Sequence, residues 1–353
     1  MEKERLHEEA WPYVVTLLPA DLEESARASH ALVRCRNVPN ASALLRLTLA
    51  YAVSDLSLKD VAAWAHAMDV AEITGPGLFY RLREAEEWLQ GVLAVTLQSD
   101  VVATPLGLAG PIRIVDATVI TGPGSKGTDW RAHVLADPIT GSLRSVELTD
   151  AHAGESYSRW SPEPGDILLG DRGYATARGI AAVRKAEAHV VVRITPGAIR
   201  LCGLDRHVLK VSALDAIVPQ VGPREWPILV PIPPQVPKHS WPLSKAQDWI
   251  PARLVGARTD KGEVIWLLTT LPEAMLSAVQ TLRLYRLRWQ IELVFRRLKS
   301  LLHLDTLPTR QGPTAKSWLL ARFLAAALTQ RLAQPAGALS PWGYELHETG
   351  LHK

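Results

Sequence analysis

Cysteine is nearly absent from this chain. Cys35 and Cys202 are its only two in 353 residues, and they match no metal-ligand or redox spacing. A reducing, cytoplasmic compartment is the natural expectation. Phenylalanine is scarce too, with 3 Phe against 12 Trp, so indoles carry most of the aromatic bulk. Such rings either fill cores or stack on bases. No run of about 18 uninterrupted apolar residues exists, so no membrane span is expected. The start, MEKERLHEEAW, has no apolar core for a signal peptide.

A strong overall charge is also missing, the net value being +3. Its distribution is uneven. Residues 1–95 hold 9 Lys and Arg against 14 Asp and Glu; residues 96–180 hold 7 against 10; residues 181–330 hold 21 against 10. A basic second half suits a polyanion lying along it, although an ordinary solvated surface would have the same composition. The length implies two or three domains, at roughly 150 residues each.

Residues 1–95 read as helical. Asn40 caps ASALLRLTLAYAV, and Ser57 with Asp60 forms a capping box opening LKDVAAWAHAM. Gly75, Pro76 and Gly77 read as a break before LFYRLREAEEWLQGVLA. Tyr80, Arg81 and Arg83 on that last element suit a helix-turn-helix module on DNA, against which stands the segment's acidity. Residues 96–110 read as a linker.

The pattern then turns to short β runs. PIRIVDATVI is a strand with Asp116 at its centre. RAHVLADPITGSLRSVELTD makes two strands around a turn from Pro138 to Gly141, and GDILLGDRGY a strand ending at Asp171. The helix ARGIAAVRKAEA and the apolar strand HVVVRIT complete an α/β domain with a mixed sheet. Residues 197–262 read as a β-rich insertion with an irregular proline-rich loop, PREWPILVPIPPQVPKHSWP. A long helix is expected from Pro272 to about Leu302, and another over 314–333.

Asp116 and Asp171 are carboxylates in apolar surroundings, costly unless paired, hydrogen-bonded or bound to a metal. Either alone reads equally well as a turn or cap residue. LYRLRWQIELVFRRLKSLL adds the third piece. At about 100° per residue, Tyr285, Arg288, Glu292 and Lys299 share one arc, and Leu284, Leu287, Ile291, Val294, Leu298 and Leu301 take the far side. Glu292 is the only acid from Gln280 to Leu304, amid Arg283, Arg286, Arg288, Arg296, Arg297 and Lys299. Two strand aspartates and a helix glutamate suit a pair of hard cations that activate a water or 3′-hydroxyl. Asp129, His133, Asp137, Asp150, His152, Glu155 and Asp166 lack that helical frame. They read as turn, cap or supporting residues, His133 being the foremost supporting candidate.

On these residues the chain resembles the DDE transposases of bacterial insertion sequences, in the insertion-sequence-four branch. That branch carries Tyr, two residues, Arg, three residues, Glu, six residues, Lys, and Tyr285, Arg288, Glu292 and Lys299 match this spacing. The resemblance covers about residues 40–335. It implies a ribonuclease-H-like core over 107–196 and 271–335, a β-rich insertion over 197–270, an all-helical N-terminal domain over 1–95, and a disordered tail over 336–353.

The resemblance further implies that Asp116, Asp171 and Glu292 hold two Mg²⁺ ions, with Mn²⁺ as substitute, and that Tyr285, Arg288 and Lys299 contact phosphates at the transposon end. Arg172 and Arg193 occupy positions where relatives place DNA-facing arginines. Relatives nick one strand and form a hairpin end, which needs a flipped base stacked on an aromatic ring. Trp266 lies near the family's stacking Trp, one position out of register. The expected partners are double-stranded DNA, both terminal inverted repeats and target, and a second copy of the chain; the expected place is the bacterial nucleoid. Two other readings stay open. A decayed or domesticated transposase would bind DNA without moving it, and a metal nuclease or resolvase of the same fold would cleave without joining.

Overall fold

The computed structural model describes residues 11–54, 56–98, 108, 110–235, 241–302, 307–309 and 312–333. The tail over 336–353 and most of the linker fall outside these residues.

After a helical stretch over residues 11–16, the N-terminal part holds α1 (Leu22–Ala28), α2 (Ala41–Val53), α3 (Leu58–Ala67), α4 (Gly75–Glu84) and α5 (Glu86–Leu97). The caps follow the sequence. Asn40 accepts from the Ala43 N–H at 2.8 Å, and Ser57 with Asp60 forms the reciprocal box. The Gly-Pro-Gly run differs from expectation. It opens α4 rather than separating helices, with Thr74 as N-cap and Pro76 in the first turn. Pro is at home there, because the N–H it lacks would have no intrahelical partner. The break falls instead at Ala85, between α4 and α5.

One eight-stranded sheet forms the centre. Its strands are β1 (Ile112–Ile120), β2 (Trp130–Ala136), β3 (Leu143–Asp150), β4 (Ile167–Gly170), β5 (His189–Ile194), β6 (Arg224–Ile232), β7 (Asp248–Arg258) and β8 (Val264–Thr269). The spatial order is β3-β2-β1-β4-β5-β8-β7-β6. β1, β4 and β5 run parallel, and the remaining pairings are antiparallel. Helix α6 (Ala177–Lys185) connects β4 to β5. The proline-rich stretch is not an irregular loop throughout, because its first part is β6, with Pro227 and Pro231 inside the strand. It lies at the end of the sheet order, where a missing N–H leaves no second neighbour unpaired. Strands β6 to β8 thus widen the central sheet through the pairing of β8 with β5.

The expected helix over 272–302 is two helices. Ser277 caps α7 (Ala278–Arg286) with a capping box to Gln280. A 3₁₀ turn, Leu287–Trp289, then tightens the chain before α8 (Gln290–Leu302). The last helix is α9 (Gly312–Ala333). It is apolar nearly all round, as befits a buried helix, with Leu319, Leu320, Phe323 and Leu324 inaccessible to solvent.

One apolar cluster runs from Leu18 in the N-terminal helices through the sheet to Leu328 in α9. Polar ties reinforce it: Lys316 meets Glu86 at 2.8 Å, the Ser317 hydroxyl donates to the Leu82 carbonyl at 2.6 Å, and Arg331 donates to the carbonyls of Leu17 and Gln98. A second cluster covers the opposite sheet face and includes α6, Tyr157, Tyr174, Trp160 and Trp266. Among the described residues no helix is long and apolar enough to cross a membrane.

Candidate active site

Register brings the two aspartates together. β1 and β4 pair in parallel up to Ile114 opposite Leu169. Asp116 and Asp171 each lie two residues further on, so they stand level on neighbouring strands, Asp116 at the middle of β1 and Asp171 just past the end of β4. Side chains two residues apart share a face, and Ile112 and Ile114 belong to the face covered by α8 and α9. Asp116 therefore follows them under the helices. Its Oδ1 accepts from the Ala117 N–H at 2.8 Å. The Asp171 Oδ1 accepts from the Gly173 N–H at 2.8 Å and caps the 3₁₀ turn Arg172–Tyr174.

Helix α8 lies against β1, and the 3₁₀ turn before it aims Arg288 at the strand. The Arg288 Nη1 is 3.4 Å from the Asp116 Oδ2, and its Nη2 donates to the Glu292 Oε1 at 2.7 Å. One guanidinium thus joins carboxylates 176 residues apart in sequence. Burial, first of all, pushes the Asp116 carboxyl up to about 7, and repulsion from Asp171 and Glu155 adds to this. The Ala117 N–H and Arg288 pull the other way. Tyr285 is half-buried nearby; burial chiefly pushes its hydroxyl up to about 12, and Arg288 and Arg193 oppose the shift.

The other expected site residues divide. Arg172 and Arg193 line a cavity of ≈ 340 Å³ together with Arg258, Asp215 and Trp266. Lys299 is half-buried, two turns along α8 from Glu292. Trp266 does not suit base stacking as placed. It is 2% exposed, donates to the Asp215 Oδ1 at 2.9 Å and packs on Trp226 with ring centres 5.4 Å apart. Gly256 makes room for it, since a Cβ there would sit 2.5 Å from the indole. The ring is part of the core, as the one-residue shift of register implies.

His133 does not support the aspartates either. It is fully buried, with Nε2 3.0 Å from the Thr149 hydroxyl. Burial, then Arg159 and Arg131, pushes it down to about 4. Glu155, grouped by the sequence with the turn, cap or supporting residues and ranked behind His133, is the carboxylate that stands nearer the aspartates. Its Oε1 is 3.9 Å from Arg131, and burial and Asp171 raise its carboxyl above the ordinary range. Trp289, half exposed beside Arg288, was missed; its place within the YRLRWQIE segment was the available signal.

The donor set suits hard divalent ions: carboxylate oxygens, two of them level on adjacent strands, and a buried acid short of positive charge. Asp116, Asp171 and Glu292 are the residues that would hold such ions. Among the described residues no three acidic, His or Cys side chains already stand in a metal-holding arrangement. Arg288 takes the position between Asp116 and Glu292, and its positive charge serves the carboxylates there.

A mixed sheet with aspartates level on parallel strands, and a glutamate brought over them by a later helix, defines a class of enzyme whose centre is a set of carboxylates. The family model described as "Transposase DDE domain" matches residues 108–328. The chain is 35% identical over 341 residues to the putative transposase InsL for insertion sequence element IS186A of Escherichia coli (strain K12), covering 90% of this chain and 92% of that protein. It is 35% identical over 342 residues, with the same coverage, to the transposase for insertion sequence element IS421 of Escherichia coli. The chain belongs to the DDE transposases of insertion sequences, enzymes that act on DNA, and the insertion-sequence-four branch fits it.

Proposed function

We propose that the chain cleaves the ends of its own insertion sequence and joins them to target DNA, with Asp116, Asp171 and Glu292 as the catalytic carboxylates. The observation that carries this is the Arg288 guanidinium, which brings Asp116 of β1 and Glu292 of α8 together beside Asp171. The order β3-β2-β1-β4-β5 supports a ribonuclease-H-like core, to which β6 to β8 would be an insertion.

Two divalent ions, Mg²⁺ or Mn²⁺, would activate a water or a 3′-hydroxyl and stabilise the leaving oxygen. The chain's own part is to hold DNA in line. Arg172 and Arg193, on the cavity wall with Arg258, would grip phosphates, as would Tyr285 and Lys299. Arg288 would pass from the carboxylates to a phosphate. A hairpin route follows the family: water cleaves one strand, and the freed 3′-hydroxyl displaces the opposite strand's 3′ oxygen. Trp289, not Trp266, is the ring free to stack on the flipped base. Because an element has two ends and this chain one such site, we assign the working complex to a homodimer. Helices α3 and α4, with Tyr80 and Arg83 on the latter, would read or grip the terminal repeat.

The test is a strand-transfer assay on the flanking inverted repeats with Mg²⁺ or Mn²⁺. Asp116→Asn, Asp171→Asn and Glu292→Gln are each expected to abolish cleavage while end binding stays within about twofold. Cleavage that survives in these variants overturns the assignment. Cleaved but never joined products would indicate a nuclease, and binding without cleavage by the unaltered chain would indicate a DNA-binding protein alone.

A further inference from the structure

Glu155 stands apart from the three-carboxylate set, yet the structure holds it firmly against that set. The loop after β3 is pinned by Arg159, whose Nε and Nη2 donate to the Gly154 carbonyl at 3.1 and 3.0 Å. The Arg159 Nη1 is tied in turn to the Glu147 Oε1 at 2.8 Å. The next residue is Glu155, with Arg131 on one side and the Asp171–Gly173 turn on the other. A Cβ at residue 173 would fall 1.8 Å from the Glu155 Oε2 and 3.2 Å from the Asp171 Oδ1. Glycine at 173 is therefore what admits the Glu155 carboxylate to the turn. The two oxygens flank the same point, and so lie within about 5 Å of each other.

A second observation points to a ligand at this place. Tyr174 is fully buried, and its hydroxyl has no hydrogen-bond partner. After burial itself, Asp116, Glu155 and Asp171 all raise the cost of ionising it, so this hydroxyl lies within electrostatic reach of the same carboxylates. A buried hydroxyl without a partner is costly, and an ordered water on a cation would supply one.

We infer that Glu155 is a positioning residue of the cation site: paired with Arg131 beside the Asp171–Gly173 turn, it adds negative charge facing the ion without ligating it. Tyr174 would bond a water of that ion. The inference rests on the proposed role of Asp116 and Asp171. Removing outer partners of metal ligands typically weakens affinity by 10–100-fold.

The test is Mn²⁺ binding by the full chain without DNA, measured by electron paramagnetic resonance of free Mn²⁺, beside thermal unfolding in chelator. Glu155→Gln is expected to weaken Mn²⁺ binding about tenfold or more while the thermal midpoint stays level or rises. Glu155→Asp is expected to recover part of the affinity. Wild-type Mn²⁺ affinity in Glu155→Gln, with affinity lost in Asp171→Asn, overturns this inference alone. Wild-type affinity in Asp171→Asn as well overturns the proposed function beneath it. If Glu155→Gln does not fold, Gly173→Ala, which pushes the Glu155 carboxylate off the turn, takes its place. A wild-type affinity there likewise overturns the inference.

Discussion

His133 is placed to make the fold acid-sensitive. The imidazole is inaccessible to solvent on β2, bonded only through Nε2 to Thr149, and its Nδ1 has no partner. Burial chiefly, then Arg159 and Arg131, pushes its pKa down to about 4 from 6.5. A group depressed on folding contributes its full stability above the unfolded value and loses it as pH falls toward the folded value. The window therefore runs from about pH 6.5 down to about 4. At about 1.4 kcal/mol per pH unit, the loss over that window amounts to about 3 kcal/mol. His133→Leu removes the titration. At pH 7.5 the variant is expected to be about 1 kcal/mol less stable, because the Thr149 contact is gone. At pH 4.5 it is expected to be the more stable of the two. Urea unfolding at pH 7.5, 5.5 and 4.5 measures this, since the carboxylates titrate alike in both proteins. Parallel stability profiles would show that the imidazole is solvated or paired in acid, and would refute the reasoning.

Two further perturbations address the neighbouring packing and charge. Gly256→Ala places a methyl 2.5 Å from the Trp266 ring, and overpacking of this kind is expected to cost about 1–3 kcal/mol in urea unfolding; an unchanged midpoint would mean the indole has free space. Arg288→Met leaves Asp116 and Glu292 without their shared cation. The expected loss in chelating buffer is about 1–3 kcal/mol, recovered in part by Mn²⁺, and a variant as stable as the parent would remove Arg288 from its bridging role.

Much of the candidate site was legible because it depends on local rules. Asp116 and Asp171 stand out as carboxylates in apolar strand patterns, and Tyr285, Arg288, Glu292 and Lys299 keep a spacing readable along the chain. The caps at Asn40 and Ser57 needed only short-range chemistry. What escaped depends on contacts or on small changes of pitch. A 3₁₀ turn of three residues hardly disturbs an α-helical period, so the break at Leu287–Trp289 left no mark. Pro227 and Pro231 suggested a loop, because whether a strand tolerates proline depends on its place at a sheet edge. Trp266 belongs to the core because of which way a strand residue faces. Glu155 could be grouped with the supporting candidates but not ranked above His133: its loop has no periodicity, and its place is set by Arg159, Arg131 and the missing side chain of Gly173.

The arrangement also bears on how a negatively charged polymer reaches an acidic centre. Asp116, Asp171, Glu155 and Glu292 would together repel phosphate, and neutralising the buried one by a proton would cost it as a ligand. Arg288 offsets two of these charges from within, and Arg172, Arg193 and Arg258 present positive charge on the cavity beside Asp171. On the function proposed above, the guanidinium that bridges the two carboxylates would also be placed to take a phosphate once cations replace it. Replacement of Arg288 by Lys would keep the charge but not the planar fork that reaches Asp116 and Glu292 at once. A two-pronged side chain at this position follows from having to serve a strand carboxylate and a helix carboxylate from a single turn of chain.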